Sequence, residues 1–199
     1  MKKKIVSLVL VFALALALGI GGTVAWLTAQ TDSVVNTFTV GDINIKLAET
    51  PGTEYKMVPG NTITKDPKVT VLANSEACFL FVKIEKSTTP KYDDFMEQYV
   101  VAQGWNELPN VSGIYYREVA ASTAAQDFNV LEGNQVKVKD TVTKAAVNAL
   151  GTPTGEVDAH GNAIYTYDSA NLPKLTFTAY AVQKVGSADA TAAWAKLNP

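Results

Sequence analysis

The chain has 199 residues, and its 17 Lys and Arg residues against 19 Asp and Glu residues give a formal net charge of −2. Residues 1–25 hold three lysines and no acidic residue, so without them the net charge falls from −2 to −5. Arg117 is the sole arginine. This balance excludes the basic surface that binding to nucleic acid or to an anionic membrane surface requires.

The N-terminus has the three parts of a secretory signal. Three lysines at positions 2–4 precede an apolar run from Ile5 to Ile20, and Thr23 and Ala25 are small enough for positions −3 and −1 of a cleavage site. We therefore predict a signal peptide over residues 1–25 and an exported single domain that begins at Trp26 and extends to residue 199. The alternative is an uncut segment that anchors the chain in a membrane.

Residues 34–47 alternate between apolar and polar side chains in two registers, as half-buried strands do. The first register has Val34, Asn36, Phe38 and Val40 on one face, and the second has Ile43, Ile45 and Leu47 on the next. Gly41 stands at the change of register, where a glycine is typical of a bulge or a sharp bend. The pattern predicts an N-terminal segment over residues 26–40 that leaves the rest of the domain at Gly41.

Further strands are predicted where short runs rich in Val, Ile, Phe and Tyr alternate with turn residues. The runs are PKVTVLA, ACFLFVKIEK, GIYYREVA, QVKVKDTV, AIYTYD and PKLTFTAYAVQKV, and a shorter strand is expected in VPGNTITKDP. In the second run, Cys78 and every second residue after it form one apolar face. On the other face Phe79 and Phe81 are followed by charged residues. That face is therefore expected to be covered at one end only.

Three short helical patches complete the pattern. The first carries Tyr92, Phe95, Met96, Tyr99 and Val100 at helical spacing, after a Thr89-Pro90 start. The second covers residues 143–150. The third begins after an N-cap at Ser187 and has a narrow apolar stripe, formed by Ala190, Ala193, Trp194 and Leu197. Together the elements predict an all-β fold, a jelly-roll-like antiparallel β-sandwich with two or three short helices in its loops.

Side chains that could carry catalysis are sparse. His160 is the only histidine, and it lies in a predicted hairpin turn at residues 160–162, whereas catalytic zinc needs several protein ligands. Asp93, Asp94 and Glu97 are typical of a solvated helix face, with a divalent ion as the alternative. Cys78 is the only cysteine, and its strand favours a buried apolar role. We therefore predict no catalytic residues, no metal site and no cofactor.

The N-terminal part of the sequence resembles exported proteins that a SipW-type signal peptidase processes, the TasA and camelysin family. The residues that carry this resemblance are Gly21, Gly22, Thr23, Ala25, Trp26, Leu27, Thr28, Asp32, Asn36, Phe38 and Gly41, followed by Ile43-Asn44-Ile45. The segment VPGNTITKDPKVTV and the tail TAYAVQ…ADATAAWAKL are similar to later parts of such proteins. The camelysin branch is classed as metalloprotease, but this chain lacks the corresponding zinc-binding pattern.

The resemblance implies a secreted jelly-roll-like protein of the extracellular biofilm matrix, with a SipW-type signal peptidase and further copies of itself as partners. In fibres of this kind the freed N-terminal segment of one subunit fills a gap in the next subunit's sheet. A donated strand would seat Val34, Phe38 and Val40 in the neighbour's core, and Gly41 would be its exit point. The alternatives are pairing of residues 34–40 within their own sheet and a function as a cell-surface binding module, or less favourably as a metallopeptidase.

Overall fold

The residues that the computed structural model describes, 42–50 and 57–197, form eleven β-strands and three short α-helices. The strands are β1 (Ile45–Ala48), β2 (Thr62–Thr64), β3 (Lys68–Val71), β4 (Cys78–Lys86), β5 (Asn106–Glu107), β6 (Ile114–Val119), β7 (Gln126–Asn129), β8 (Gln135–Lys137), β9 (Thr152–Val157), β10 (Ala163–Thr166) and β11 (Leu175–Gln183). The helices are α1 (Tyr92–Phe95), α2 (Lys144–Asn148) and α3 (Ala190–Ala195). All strand pairs are antiparallel, which confirms the predicted all-β fold.

The first layer is a four-stranded sheet with the order β11-β4-β6-β5. The side chains of its central strand β4 alternate between the two faces of the sheet, as the sequence predicts. One face of β4 is buried in the main core through Cys78, Leu80, Val82 and Ile84. The opposite face buries Phe79 and Phe81 in a second, smaller cluster. A strand buried on both faces explains the almost continuous apolar run of ACFLFV.

The second layer combines two short sheets, β1-β3-β7 and β2-β8. Backbone hydrogen bonds join them, because the Val130 N–H donates to the Pro67 carbonyl (2.9 Å) and the Lys65 N–H donates to the Asn134 carbonyl (2.8 Å). Residues 62–71 and 126–137 therefore form one long antiparallel ribbon. Its inner side chains pack against the inner face of β4 and complete a β-sandwich.

Helix α3 covers one end of the outer face of the four-stranded sheet. Trp194 packs on Phe81, with a distance of 5.1 Å between ring centroids, and on Tyr180 at 5.4 Å. All four residues of the predicted stripe lie in this outer cluster, so the prediction of partial coverage is confirmed. The predicted N-cap was wrong: Asp189, rather than Ser187, accepts a hydrogen bond from the Ala192 N–H.

The first helical patch is much shorter than the sequence predicts. Helix α1 ends at Phe95, and Val100 is 62% exposed. The residues after Phe95 instead pair with the ribbon, since the Glu97 N–H donates to the Lys137 carbonyl and the Ala102 N–H donates to the Val130 carbonyl. These long-range backbone hydrogen bonds replace the helical ones that the local spacing favours.

Two large side chains close the β7 side of the sandwich. On the β7 side, the Trp105 indole N–H donates to the carbonyl of Asn129 (2.8 Å) and so occupies an acceptor at an outer strand edge. The Arg117 guanidinium stacks beside it, 4.0 Å from the Phe128 ring centroid and 5.4 Å from the Trp105 ring. Side chains therefore cap this side of the sandwich.

Candidate functional site: a cavity beside an open strand edge

A cavity of about 220 Å³ lies between the two layers, where β2 and β8 face the beginning of β11. Its lining is mostly apolar and comes from both sheets, from α1 and from the segment before β11. The described lining residues are Met57, Ile63, Lys65, Tyr92, Met96, Val136, Ser169, Leu172, Pro173, Lys174 and Leu175. A cavity of about 150 Å³ lined by apolar side chains binds benzene, so this one has room for an aromatic side chain.

One backbone edge of β2, beside this cavity, pairs with no described strand. On its paired side, the Val138 N–H donates to the Asn61 carbonyl and the Lys65 N–H donates to the Asn134 carbonyl, with Ile63 opposite Val136 between them. Successive residues of a strand direct their backbone groups to opposite edges. The N–H and C=O groups of Thr62 and Thr64 therefore point away from β8, and no described strand pairs with that edge.

Among the described residues, β1 ends before it reaches β2. Strand β1 pairs with β3 only as far as Ala48 opposite Lys68, and the Thr50 N–H then donates to the side chain of Asp66 (3.0 Å). A strand placed beside β2 would therefore lie in line with β1. We call the cavity together with the free edge at Thr62 and Thr64 the end groove.

Tyr92 lines this cavity and has a buried hydroxyl. The residue is 2% exposed, and its buried hydroxyl has no hydrogen-bond partner among the described residues. Burial, with a smaller contribution from the Asp93 carboxylate, raises the pKa of Tyr92 to about 12. The hydroxyl therefore stays protonated at physiological pH, where it can both donate and accept a hydrogen bond.

Lys86 holds the Tyr92 ring in place. Its ammonium group donates to Asp93 and to Gln98, each at 2.7 Å, and lies 5.7 Å from the centroid of the Tyr92 ring and 5.2 Å from that of Tyr99. These contacts involve the ring face and leave the hydroxyl unengaged. The ring is therefore fixed by packing.

The predicted functional residues of the N-terminus lie outside the described part of the chain. They are the cleavage-site residues Thr23, Ala25 and Trp26 and the donor-strand residues Val34, Phe38, Val40 and Gly41. The structure therefore does not test them.

The side chains that were considered for chemistry are dispersed. Asp93 pairs with Lys86 (2.7 Å) and Glu97 with Lys137 (2.9 Å). His160 lies exposed in the turn between β9 and β10, where the Asp158 carboxylate accepts its backbone N–H (2.9 Å), as the predicted hairpin requires. Cys78 is buried, and burial raises the pKa of its thiol to about 11, which leaves it unreactive.

The end groove could not be derived from the sequence. The sequence pattern places Tyr92 and Met96 in the apolar stripe of a helix, and both side chains indeed lie in the core. The pattern does not indicate a cavity beside them. The one available signal is the shortness of β2, which lies between Pro59-Gly60 and Pro67. Very short strands with flanking prolines are typical of sheet edges.

Within residues 42–50 and 57–197, no three His, Cys, Asp or Glu side chains are close enough together to hold a metal ion. No helix in this part of the chain is both long enough and apolar enough to cross a membrane. No protein-family model matches the sequence, and neither a curated protein nor a solved structure matches it with significance.

Proposed function

We propose that this protein is a secreted structural component of an extracellular matrix and that it polymerises by strand donation. In this proposal, residues 26–40 of one copy dock in the end groove of the next. The observation that supports it is the outward backbone edge of β2, which pairs with no described strand and borders an apolar cavity. An exposed edge of this kind is a template for pairing with another chain.

The two surfaces are complementary in chemistry. A strand beside β2 finds the backbone donors and acceptors of Thr62 and Thr64, and its alternate side chains enter the cavity. The N-terminal segment has such an apolar face in Val34, Phe38 and Val40. It carries a single charged residue, Asp32, so its burial needs little charge desolvation.

Strand donation also explains growth into fibres. The donor segment and the end groove are different surfaces, so each copy that donates leaves its own groove open for another donor. Such heterologous contacts form open filaments when the rotation between copies does not close a ring. Removal of the signal peptide during export would leave residues 26–40 outside the cell with a free N-terminus.

The first test is the N-terminus of the secreted material. We expect N-terminal sequencing to read Trp-Leu-Thr-Ala-Gln from Trp26 onward, because Thr23 and Ala25 place a cleavage site before it. Chains found only in membranes at full length would contradict this. They would instead support a surface module anchored by its uncut N-terminus.

The second test changes only the free edge of β2. Thr64→Pro removes an N–H that points away from β8, and proline is tolerated at such edge positions. We expect the concentration needed for filament assembly to rise roughly tenfold, with little change in the thermal midpoint of the monomer. Sedimentation and electron microscopy measure the first quantity, and circular dichroism measures the second.

The matched control is Thr64→Val, which removes the hydroxyl but keeps the backbone N–H. This variant should assemble like the wild type. Normal assembly of Thr64→Pro at wild-type concentrations would place the donor strand elsewhere and contradict the proposed docking edge.

A further inference from the structure

The hairpin of β9 and β10 has an apolar face that lies outside both hydrophobic clusters of the described residues. In the paired register Val157 lies opposite Ala163. Pro153 lies opposite Tyr165. Paired residues share a face of a sheet, and Ala163 and Tyr165 alternate onto the same side of β10. These four side chains therefore form one uncharged face, which we call the arm face.

The arm face is exposed, which is unfavourable for a hairpin that stands alone. All six residues of β9 are exposed, and Val157 retains 64% of its accessible surface. The other face of the hairpin is polar, because Thr152 lies opposite Thr166 there. A two-stranded hairpin without a packed face is only marginally stable in water, and an exposed apolar face is typical of an interaction site. The arm face thus suits a partner surface that is apolar and uncharged.

The hairpin is fixed at the end of the sandwich where the cavity lies. The Tyr167 hydroxyl, just after β10, donates to the side chain of Asn148 in α2 (3.3 Å). Ser169 and Leu172, the next residues toward β11, line the cavity itself. A segment that docks in the end groove therefore passes close to the base of the hairpin.

The described chain begins at the opposite end of the sandwich. The carbonyl of Asp42 accepts the N–H of Glu76 (3.0 Å), just before β4 begins. The N–H of Ser87, just after β4 ends, donates to the carbonyl of Lys174 beside the cavity (2.9 Å). The nine residues of β4 separate these two ends by about 26 Å. In a head-to-tail repeat, the residues that precede Asp42 in one copy therefore meet the hairpin of the next copy.

We propose that the arm face packs on residues 26–40 of an incoming copy and holds them at the end groove. This inference rests on the proposed function and adds a second surface that retains the donated segment. The segment fits in chemistry, since its only charged residue is Asp32 and its apolar face carries Val34, Phe38 and Val40. Two arm faces packed on each other would involve four side chains from each copy, whereas a stable interface takes about 20–30 residues from each partner.

The first test is Val157→Glu in the full exported chain, residues 26–199. We expect the critical concentration for filament assembly to rise at least tenfold, because the carboxylate would be buried against an apolar segment. The thermal midpoint of the dissociated protein should match the wild type, since Val157 is exposed there. The matched control is Thr152→Glu, which adds the same charge to the polar face of the hairpin and should assemble like the wild type.

The second test identifies the neighbour of the arm face directly. A thiol-reactive benzophenone is attached at Val157→Cys, while the natural Cys78 is buried and does not react. The labelled protein is assembled as a minority with isotope-labelled wild-type chains and illuminated, and the cross-linked peptides are identified by mass spectrometry. We expect cross-links to residues 26–40 of the isotope-labelled chains. The same probe at Thr152→Cys should give none to that segment.

The outcomes separate this contact from the proposed function. Filaments in which Val157→Glu assembles like the wild type, or in which the probe reaches the hairpin of another copy or residues 51–56 of its own chain, would overturn the arm contact and leave strand donation standing. Cross-links to residues 26–40 of the same chain, or a wild-type exported chain that never assembles, would overturn strand donation and the arm contact with it.

Discussion

An exported chain that lacks residues 26–40 is expected to form no filaments and to remain a folded monomer at every concentration. The donor strand is then missing, while both hydrophobic clusters described here lie within residues 42–50 and 57–197. Electron microscopy and sedimentation would measure assembly, and the thermal midpoint would report the fold. Filaments from this shortened chain, or its failure to fold, would show that residues 26–40 have a different function.

Adding the missing strand as a synthetic peptide sharpens this experiment. A ligand that binds only the folded state at 100 times its Kd stabilises that state by about 2.7 kcal/mol, so the peptide of residues 26–40 should raise the thermal midpoint of the shortened chain. The same peptide with Phe38→Asp is the matched control. It should give no shift, because a carboxylate in the apolar cavity costs several kcal/mol.

Phe81→Ala is expected to lower the free energy of unfolding by about 3–5 kcal/mol. Phe81 is fully buried at the centre of the outer cluster and packs against both Trp194 and Tyr116, so its removal leaves a cavity beneath α3. Urea denaturation would show a lower midpoint concentration with an unchanged slope.

Glu85→Ala is the matched control, because Glu85 lies on the same face of β4 as Phe81, at the end that α3 does not cover. Its side chain is exposed and pairs with Lys83. Removing an exposed pair of this kind should change stability by less than about 1 kcal/mol. Equal losses for the two variants would contradict the one-ended coverage of this sheet.

Several elements could be predicted from the sequence because the information that specifies them is local. The alternation around Cys78 identifies β4 and its two faces, since side chains of a strand point alternately to opposite sides. The stripe of Ala190, Ala193 and Trp194 identifies α3 for the same kind of reason. The hairpin turn at residues 160–162 was also predicted. The Asp158 carboxylate accepts the backbone N–H groups of His160 and Asn162 within that turn.

The end of α1 and the end groove depend instead on residues that are distant in sequence. The spacing of Tyr92, Met96 and Tyr99 fits a helix, and all three are indeed buried. However, the backbone after Phe95 bonds to residues 130–139, and no local pattern can show that these partners are available. Strands β5 and β7 escaped prediction because they are short and largely polar.

By itself, the sequence thus determined the all-β class, the two faces of the central strand and the apolar stripe of α3, since each depends on a periodicity over a few neighbouring residues. Only the tertiary structure decided that a cavity lies beside the outer edge of β2, that no described strand pairs with this edge and that the buried Tyr92 hydroxyl has no partner among the described residues. Each of these features depends on which partners the fold brings close to a backbone edge or a side chain. Those partners come from segments that are far apart in the chain, so no local pattern reveals them.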